Sequence, residues 1–316
     1  MTMISRRSFL GSSAVVAGAA LFAPQAVFAQ EVQQPEVVLN GRKTGATAKI
    51  ATQKLRGGVY ALMGSGGNIA VLPGPQGKVL VDSGISTLRP QILEALNAIS
   101  ADPMTHLINT HWHYDHTDGN EWMHSVGATI VAQEKCKERL SSVQQMKAFN
   151  ATFPAAPKGA IPTKTFGEKD RMKLNGVTLS MAHYEPAHTD TDIWIYFVEA
   201  DVLHTGDTWF NGFYPFIDYS TGGNINGMIK ATKQNLATAG PDTIIIPGHG
   251  PIGNKKQLQE FHDVLVYSRD AVATLKQQGK TLAEVVSAKP TEKYDSTYGA
   301  GFMNPETFLG LVYQGV

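Results

Sequence analysis

The chain has 316 residues, 42% hydrophobic and 17% charged, which is ample for a large globular core. Its 27 basic and 27 acidic side chains cancel, leaving no net field to attract nucleic acid or an anionic membrane surface. The partners to expect are small molecules, and composition alone names no chemistry.

In chain order, "SRRSFL" followed by "GSSAVVAGAALFAPQAVFA" reads as a twin-arginine export signal over residues 1–29. Val27 and Ala29 supply the small residues for cleavage after Ala29. Glycines, serines and Pro24 break the apolar run, so no stable membrane anchor is expected after cleavage. The expected partner is the twin-arginine export machinery and the expected location is periplasmic or secreted. Cys136 is the sole cysteine, which excludes an internal disulfide even in an oxidising compartment; within "QEKCKERL" it reads as an ordinary helical residue.

Residues 30–47 are polar and read as a mobile lead into one α/β domain covering 48–316. Four short β-type runs follow, "KIATQKL", "GVYALMG", "NIAVLPG" and "KVLVDSG", separated by glycine and proline turns. "TLRPQILEALNAI" places Leu93, Leu96 and Ile99 on one helical face, and "MTHLINT" is the next strand. After it comes "HWHYDHTDGN", so the loop that leaves this strand carries His111, His113, Asp115 and His116. Asp118 and Glu121 have capping-box spacing for a short helix running to His124; the alternative makes Asp118 a further ligand.

Residues 141–166 lose clear periodicity and contain three prolines. They read as a partly helical excursion, either a lid over a site or a surface insertion without a role. Strands return in "RMKLNGVTLSMAHYE", "DIWIYFVEADVLHTGD" and "DTIIIPGHG", with helices near 224–239 and 255–277. No linker-like break or short repeat divides the chain.

A regular strand cannot turn all of His-x-His-x-Asp-His to one point, because His116 would face away from the rest. A tight loop can, and it can feed two neighbouring centres. Imidazole and carboxylate suit zinc and similar borderline metals, but one loop leaves each ion short of four ligands. Further donors stand at strand exits: His188 in "EPAHTDTD", Asp207 in "HTGDTWF" and His249 in "IIPGHGP".

With these four separated motifs in this order, residues from about 49 to 265 resemble the metallo-β-lactamase superfamily. The resemblance implies a four-layer αβ/βα sandwich with the metals at one edge of its two sheets. It implies that His111, His113 and His188 hold one ion, that Asp115, His116 and His249 hold the other, and that Asp207 bridges them. Two zinc ions per chain are implied, with iron or manganese as alternatives. The nucleophile would be a hydroxide between the ions, with Asp115 serving as ligand and proton acceptor. Zinc lowers the pKa of bound water to roughly 7, so no serine or cysteine nucleophile is required.

Asp82 in "VLVDSG" matches the superfamily's early aspartate, which orients the metal-binding histidines; a turn-forming aspartate is the plainer reading. His204, beside the Asp207 motif, is the one other histidine expected to support the ligands. His106, His124, His183 and His262 read as ordinary core or surface residues. In "TWFNGFYPFIDY", Trp209, Phe213, Tyr214 and Phe216 either line an apolar pocket or pack against the sheet.

Having both Asp207 and His116 resembles glyoxalase II and lactonases more than cysteine-containing β-lactamases. Phe210 departs from the lactonase pattern, which has tyrosine there, and no basic cluster for glutathione is evident. The expected activity is an exported zinc hydrolase of an ester, lactone, thioester or amide in a small molecule. The alternatives are a β-lactamase, an iron-dependent oxidoreductase on the same fold, and a non-catalytic metal-binding protein. His113 stands where flavodiiron proteins have glutamate, which weakens the iron reading.

Overall fold

The computed structural model describes residues 34–316. The export-signal expectation for 1–29 lies outside the described residues. The first helix, α1 (Glu36–Gly45), corrects the expected mobile segment at 30–47. Its Val38 is buried, Arg42 Nε donates to Asp118 at 3.0 Å, and the Tyr114 hydroxyl donates to the Val37 carbonyl. With so little apolar surface the segment has weak helical periodicity, and partners more than 70 positions away hold it in place.

The chain next forms β1 (Ala51–Lys54), β2 (Tyr60–Met63), β3 (Ile69–Leu72) and β4 (Lys78–Val81), an antiparallel meander. Helix α2 (Arg89–Ile99) crosses to β5 (Met104–Ile108), parallel to β4. Pro90 at its start fits the first helical turn, where no intrahelical N–H bond is lost. Ile92 and Leu96 are its buried residues, with Leu93 and Ile99 partly covered.

After β5 come two short helices, α3 (Tyr114–Thr117) and α4 (Asn120–Ser125), and then β6 (Thr129–Gln133) and α5 (Glu134–Leu140). The expected capping box at Asp118 does not form. Gly119 occupies the N-cap of α4 without a side-chain bond, while Asp118 accepts from Arg42 and from the Ser86 amide. A long-range arginine outcompetes the local cap.

The excursion at 141–166 combines two 3-10 turns (Lys147–Phe149 and Lys158–Ala160) with strands that were not expected: a hairpin of β7 (Gln144–Met146) and β8 (Ala151–Phe153), then β9 (Lys164–Phe166). Strands of three residues are too short for alternation to be read from sequence. β9 closes a seven-stranded sheet in the order β1-β2-β3-β4-β5-β6-β9.

The second sheet has six strands: β10 (Lys169–Leu174), β11 (Val177–His183), β12 (Ile193–Phe197), β13 (Val202–His204), β14 (Ile244–Ile246) and β15 (Gly253–Asn254). Asn175-Gly176, both at positive φ, make the tight turn between β10 and β11. Helix α6 (Ile225–Thr238) crosses from β13 to the parallel β14, and α7 (Lys255–Gln277), α8 (Leu282–Ala288), α9 (Glu292–Tyr298) and α10 (Pro305–Gln314) complete the chain.

Alternation along the strands divides the core into layers. Ala70, Val81 and Ile108 of the first sheet pack with Leu179, Ile195 and Val202 of the second, so the sheets lie face to face. The opposite residues, Val71, Leu80 and Leu107, pack under α2 and α4. Leu203 and Ile245 face α6, α7 and α10. The order helix, sheet, sheet, helix is the expected four-layer αβ/βα sandwich. The described residues fall in one compact unit, and none of their helices is long and apolar enough to cross a membrane.

Candidate metal centre

A parallel strand pair from each sheet, β4 with β5 and β13 with β14, ends at one edge of the sandwich, and the loops leaving them carry the polar cluster. Asp82 follows β4, the His111–His116 segment follows β5, Asp207 follows β13 and His249 follows β14. His188 comes from the turn between β11 and β12. Backbone hydrogen bonds cannot continue beyond a sheet edge, so these loops are free to point side chains at a common space.

Three sets of donor atoms converge there: His111 with His113 and His188, His111 with His116 and Asp207, and Asp115 with His116 and His249. In each set the donor atoms lie within 4.8 Å of one another. His111, His113, His116 and His188 are buried, and so is Asp207. Asp207 Oδ2 is 3.4 Å from His188 Nε2, 3.9 Å from His111 Nε2 and 3.3 Å from His249 Nε2. Its other oxygen is 3.0 Å from His116 Nε2. It is therefore the one carboxylate facing both halves of the cluster.

Each buried histidine has its second ring nitrogen occupied on the outer side. His188 Nδ1–H donates to the Phe216 carbonyl at 2.8 Å, and His113 Nε2–H to Asp218 at 3.2 Å. His116 Nδ1–H donates to Asp82 Oδ2 at 2.7 Å. Thr110 Oγ1 also donates to Asp82, at 2.7 Å, so it accepts from His111 Nδ1–H at 3.0 Å. These bonds fix each ring and aim one nitrogen of it inward: Nε2 of His111, His116 and His188, and Nδ1 of His113. Fixing a ligand's tautomer from outside raises its basicity and holds its ring, as metal sites require.

Asp82 is fully buried at φ 65°, a left-handed backbone that aspartate tolerates better than most residues. There it accepts from the Thr110 amide, the Thr110 hydroxyl and His116 at once. His204 Nε2–H donates to the Asn68 carbonyl, and its Nδ1 accepts from the Gly206 amide at 3.1 Å. It thus fixes the turn that presents Asp207. Gly67 and Gly248 leave room for the cluster, since a β-carbon on the first would strike the His116 ring and one on the second the Asp207 carboxylate.

The cluster by itself is electrostatically unfinished. The buried atoms His111 Nε2 and Asp207 Oδ1 have no hydrogen-bond partner among the described residues. His113 Nδ1 faces His188 Nε2 at 2.9 Å, and His116 Nε2 faces His249 Nε2 at 3.3 Å. Burial drives the His111 imidazolium well below its ordinary pKa, and with His113 nearby it brings His188 to about 4. Burial opposes ionising Asp115, yet His116 and His249 hold its carboxyl down at about 2. Against burial, Asp207 and Asp115 in turn raise the His116 imidazolium well above its ordinary pKa and His249 to about 9. Carboxylates that draw positive charge onto closely facing rings form a cavity suited to cations, and the donor set is the one zinc-like ions prefer.

On its outer side the cluster opens into a cavity of about 670 Å³. His113, Asp115, His188, Asp207 and His249 form its floor, and mostly apolar side chains form its walls. The aromatic stretch splits between the two roles foreseen for it. Phe213 and Phe216 line the cavity and Tyr214 reaches it, although Tyr214 is buried and stacks on Phe308 with centroids 4.3 Å apart. Trp209 is not a wall residue: fully buried, it packs in the core under the second sheet. Phe210, the departure from the lactonase pattern, lines the cavity and stacks on His249 with centroids 5.1 Å apart.

Several supporting groups escaped the sequence reading. Asp218 lies inside the stretch read for its aromatics; its signal was an aspartate ahead of Ser220, whose amide bonds Asp218 Oδ1 at 2.9 Å. Asp192 accepts from the His188 and Thr189 amides, and burial pushes its carboxyl up to about 7. The Phe216 carbonyl that holds His188 carries no sequence signal at all. Among the ordinary histidines, His124 and His183 bond backbone carbonyls, His106 bonds Thr105, and His262 lies on α7 beside Asp263.

A family model described as the metallo-beta-lactamase superfamily matches residues 62–249, more than half of the chain. The chain belongs to that superfamily. A hydroxyacylglutathione hydrolase from a Polaromonas species is 29% identical over 155 residues, 48% of this chain and 50% of that protein. Another from Nitrosococcus oceani is 26% identical over 196 residues, 61% of this chain and 63% of that protein. The chain thus spans only part of the length of these relatives. Among solved structures, a metallo-beta-lactamase from Pontibacter korlensis superposes with a TM-score of 0.55 at 17% identity, over 69% of this chain and 99% of that one. A stereoselective inverting sec-alkylsulfatase from Pseudomonas sp. gives 0.61 at 17% identity, over 89% and 53%. At such identities the structural likeness speaks for the fold.

Proposed function

We propose that this protein is an exported hydrolase that holds two divalent ions, zinc in the first instance, and cleaves an ester, lactone, thioester or amide bond of a small molecule. The supporting observation is the set of seven inward donors in which four buried histidines have their outer nitrogens tied and Asp207 faces both halves. In this reading His111, His113 and His188 hold one ion, Asp115, His116 and His249 the other, and Asp207 both. Bound metal supplies a nucleophile at neutral pH and an electrophilic contact for the reacting carbonyl.

The chain's own residues do the rest. Asp82, Asp218, Thr110 and the Phe216 carbonyl hold the imidazoles in one tautomer, so no reorganisation is needed at the moment of reaction. In this reading Asp115, about one-fifth exposed on the cavity floor, serves as ligand and as proton acceptor for the attacking water. Hydrolysis joins the water oxygen to the acyl carbon, breaks the bond to the leaving oxygen, sulfur or nitrogen, and returns a proton to the leaving group. The thioester hydrolases among the relatives favour acyl transfer to water over oxidoreduction.

Export through the twin-arginine pathway belongs to the same proposal and rests on Arg6-Arg7 and the small residues before Ala29. The test is turnover of a panel containing nitrocefin, a homoserine lactone, a thioester and a phosphodiester, before and after chelation. Hydrolysis of an acyl substrate that is lost with the chelator and returns with zinc is the expected result. Turnover indifferent to chelation would overturn the proposal.

A further inference from the structure

The hydrolase reading leaves open what part of a substrate fills the cavity above the metal floor, and the walls answer this. A row of rings leads outward from the ligands. Phe216 lies with its centroid 6.0 Å from that of His113 and 5.9 Å from that of His188. Phe149 follows at 5.0 Å from Phe216, and Phe302 at 5.5 Å from Phe149. Phe302 is 69% exposed, the most open of the large apolar side chains among the described residues, so folding alone gives no reason for a phenylalanine there. A single exposed apolar residue is ordinary, but this one ends a continuous aromatic row running to the buried ligands.

The three rings come from different parts of the chain. Phe216 follows the Asp207 turn, Phe149 sits between β7 and β8 in the 141–166 excursion, and Phe302 lies between α9 and α10. Two of the three thus lie outside the loops that carry the ligands, and Phe302 lies beyond the stretch matched by the family model. Met146, Phe153 and Met303 fill out the same apolar walls.

The charge of the lining points the same way. Apart from the inward-facing histidines of the floor, its charged side chains, among the described residues, are the acids Glu36, Asp115 and Asp207, with no lysine or arginine in the lining. A substrate carrying carboxylates away from the reacting bond would meet no cation outside the metal floor and would lose hydration against phenylalanine.

We propose that the substrate is an uncharged ester, lactone or thioester bearing an extended apolar acyl or aryl group, and that Phe149, Phe216 and Phe302 select that group. This rests on the hydrolase reading and deepens it. A glutathione-like anionic thioester, the kind suggested by the names of the curated relatives, is the excluded alternative. A cavity of about 670 Å³ is within the range that encloses a drug-sized molecule.

The test uses the zinc-loaded mature chain, p-nitrophenyl esters from acetate to decanoate, and esters of the same lengths ending in a carboxylate. For each methylene buried, kcat/KM should rise roughly fourfold, and the carboxylate-ended esters should be at least about tenfold slower than their neutral counterparts. In Phe149→Ala and Phe302→Ala the ratio of decanoate to acetate turnover should drop by about tenfold. Because Phe302 is largely exposed, its replacement should not endanger folding. A flat length series, or faster turnover of the carboxylate-ended esters, would overturn the proposal. Binding of the neutral fluorophore N-phenyl-1-naphthylamine separates this result from failure of the hydrolase reading. Probe binding that is lost in both variants, with no ester hydrolysed, would support the apolar site and sink the hydrolase.

Discussion

Single side chains in the centre are distinguished by what their outer atoms touch. Asp218 is not an inward donor, yet it fixes His113 through a bond to Nε2. Asp218→Ala should therefore weaken metal binding by about 10- to 100-fold without removing a ligand, measured by competition with a chromophoric zinc chelator. Asp115→Ala, which does remove an inward donor, should lower the metal content by about one ion and turnover by at least 100-fold while the circular dichroism spectrum stays native. Unchanged affinity in the first variant, or two ions and full turnover in the second, would refute these roles. The sequence exposed the inward donors because histidine and aspartate at strand exits are chemically conspicuous. It hid Asp218 because an aspartate opening a turn looks alike whether or not a histidine stands opposite, and it hid the Phe216 carbonyl because every residue has one.

Among the elements, long alternating runs were legible and short ones were not. β12 alternates buried and half-buried residues, and Val177, Leu179 and Met181 of β11 face the first sheet in alternation with Thr178 and Ser180, a pattern the side chains announce. The three-residue strands β7 and β8 offer no such pattern, and helix α1 owes its position to Arg42 and Tyr114, whose partners are remote in sequence. Asp118 illustrates the same limit: its capping-box spacing was real, but the Arg42 guanidinium claimed it. That pair is two-pronged, with Arg42 about one-third exposed. Arg42→Ala should accordingly cost only about 0.5–1 kcal/mol, seen mainly as faster amide exchange across residues 36–45. Exchange there as slow as in the parent protein would mean that Val38 packing alone anchors the helix.

At the scale of the whole molecule, the metal-ligand loops join both sheets, so metal binding and global stability should be linked. His111 and His116 follow the first sheet's β5, while Asp207 and His249 follow the second sheet's β13 and β14. An ion held at about 1,000 times its dissociation constant adds roughly 4 kcal/mol. For a domain of this size that is on the order of 10 °C in Tm. Calorimetry should show a loss of this order with a chelator and recovery with zinc; an unchanged Tm would indicate a centre that does not take metal tightly. The sandwich was recognisable because the ligand motifs recur in a fixed order along the chain. The shape and charge of the substrate cavity were not, because its walls meet only when the 141–166 excursion and the α9–α10 connection fold over the floor.

The measurement that reaches the central claim most directly is elemental analysis of the purified chain after zinc loading and removal of free metal. A centre with seven converging donors and a carboxylate facing both halves should retain about two zinc ions per chain. Retention of none, or of a single ion, would contradict a paired metal site.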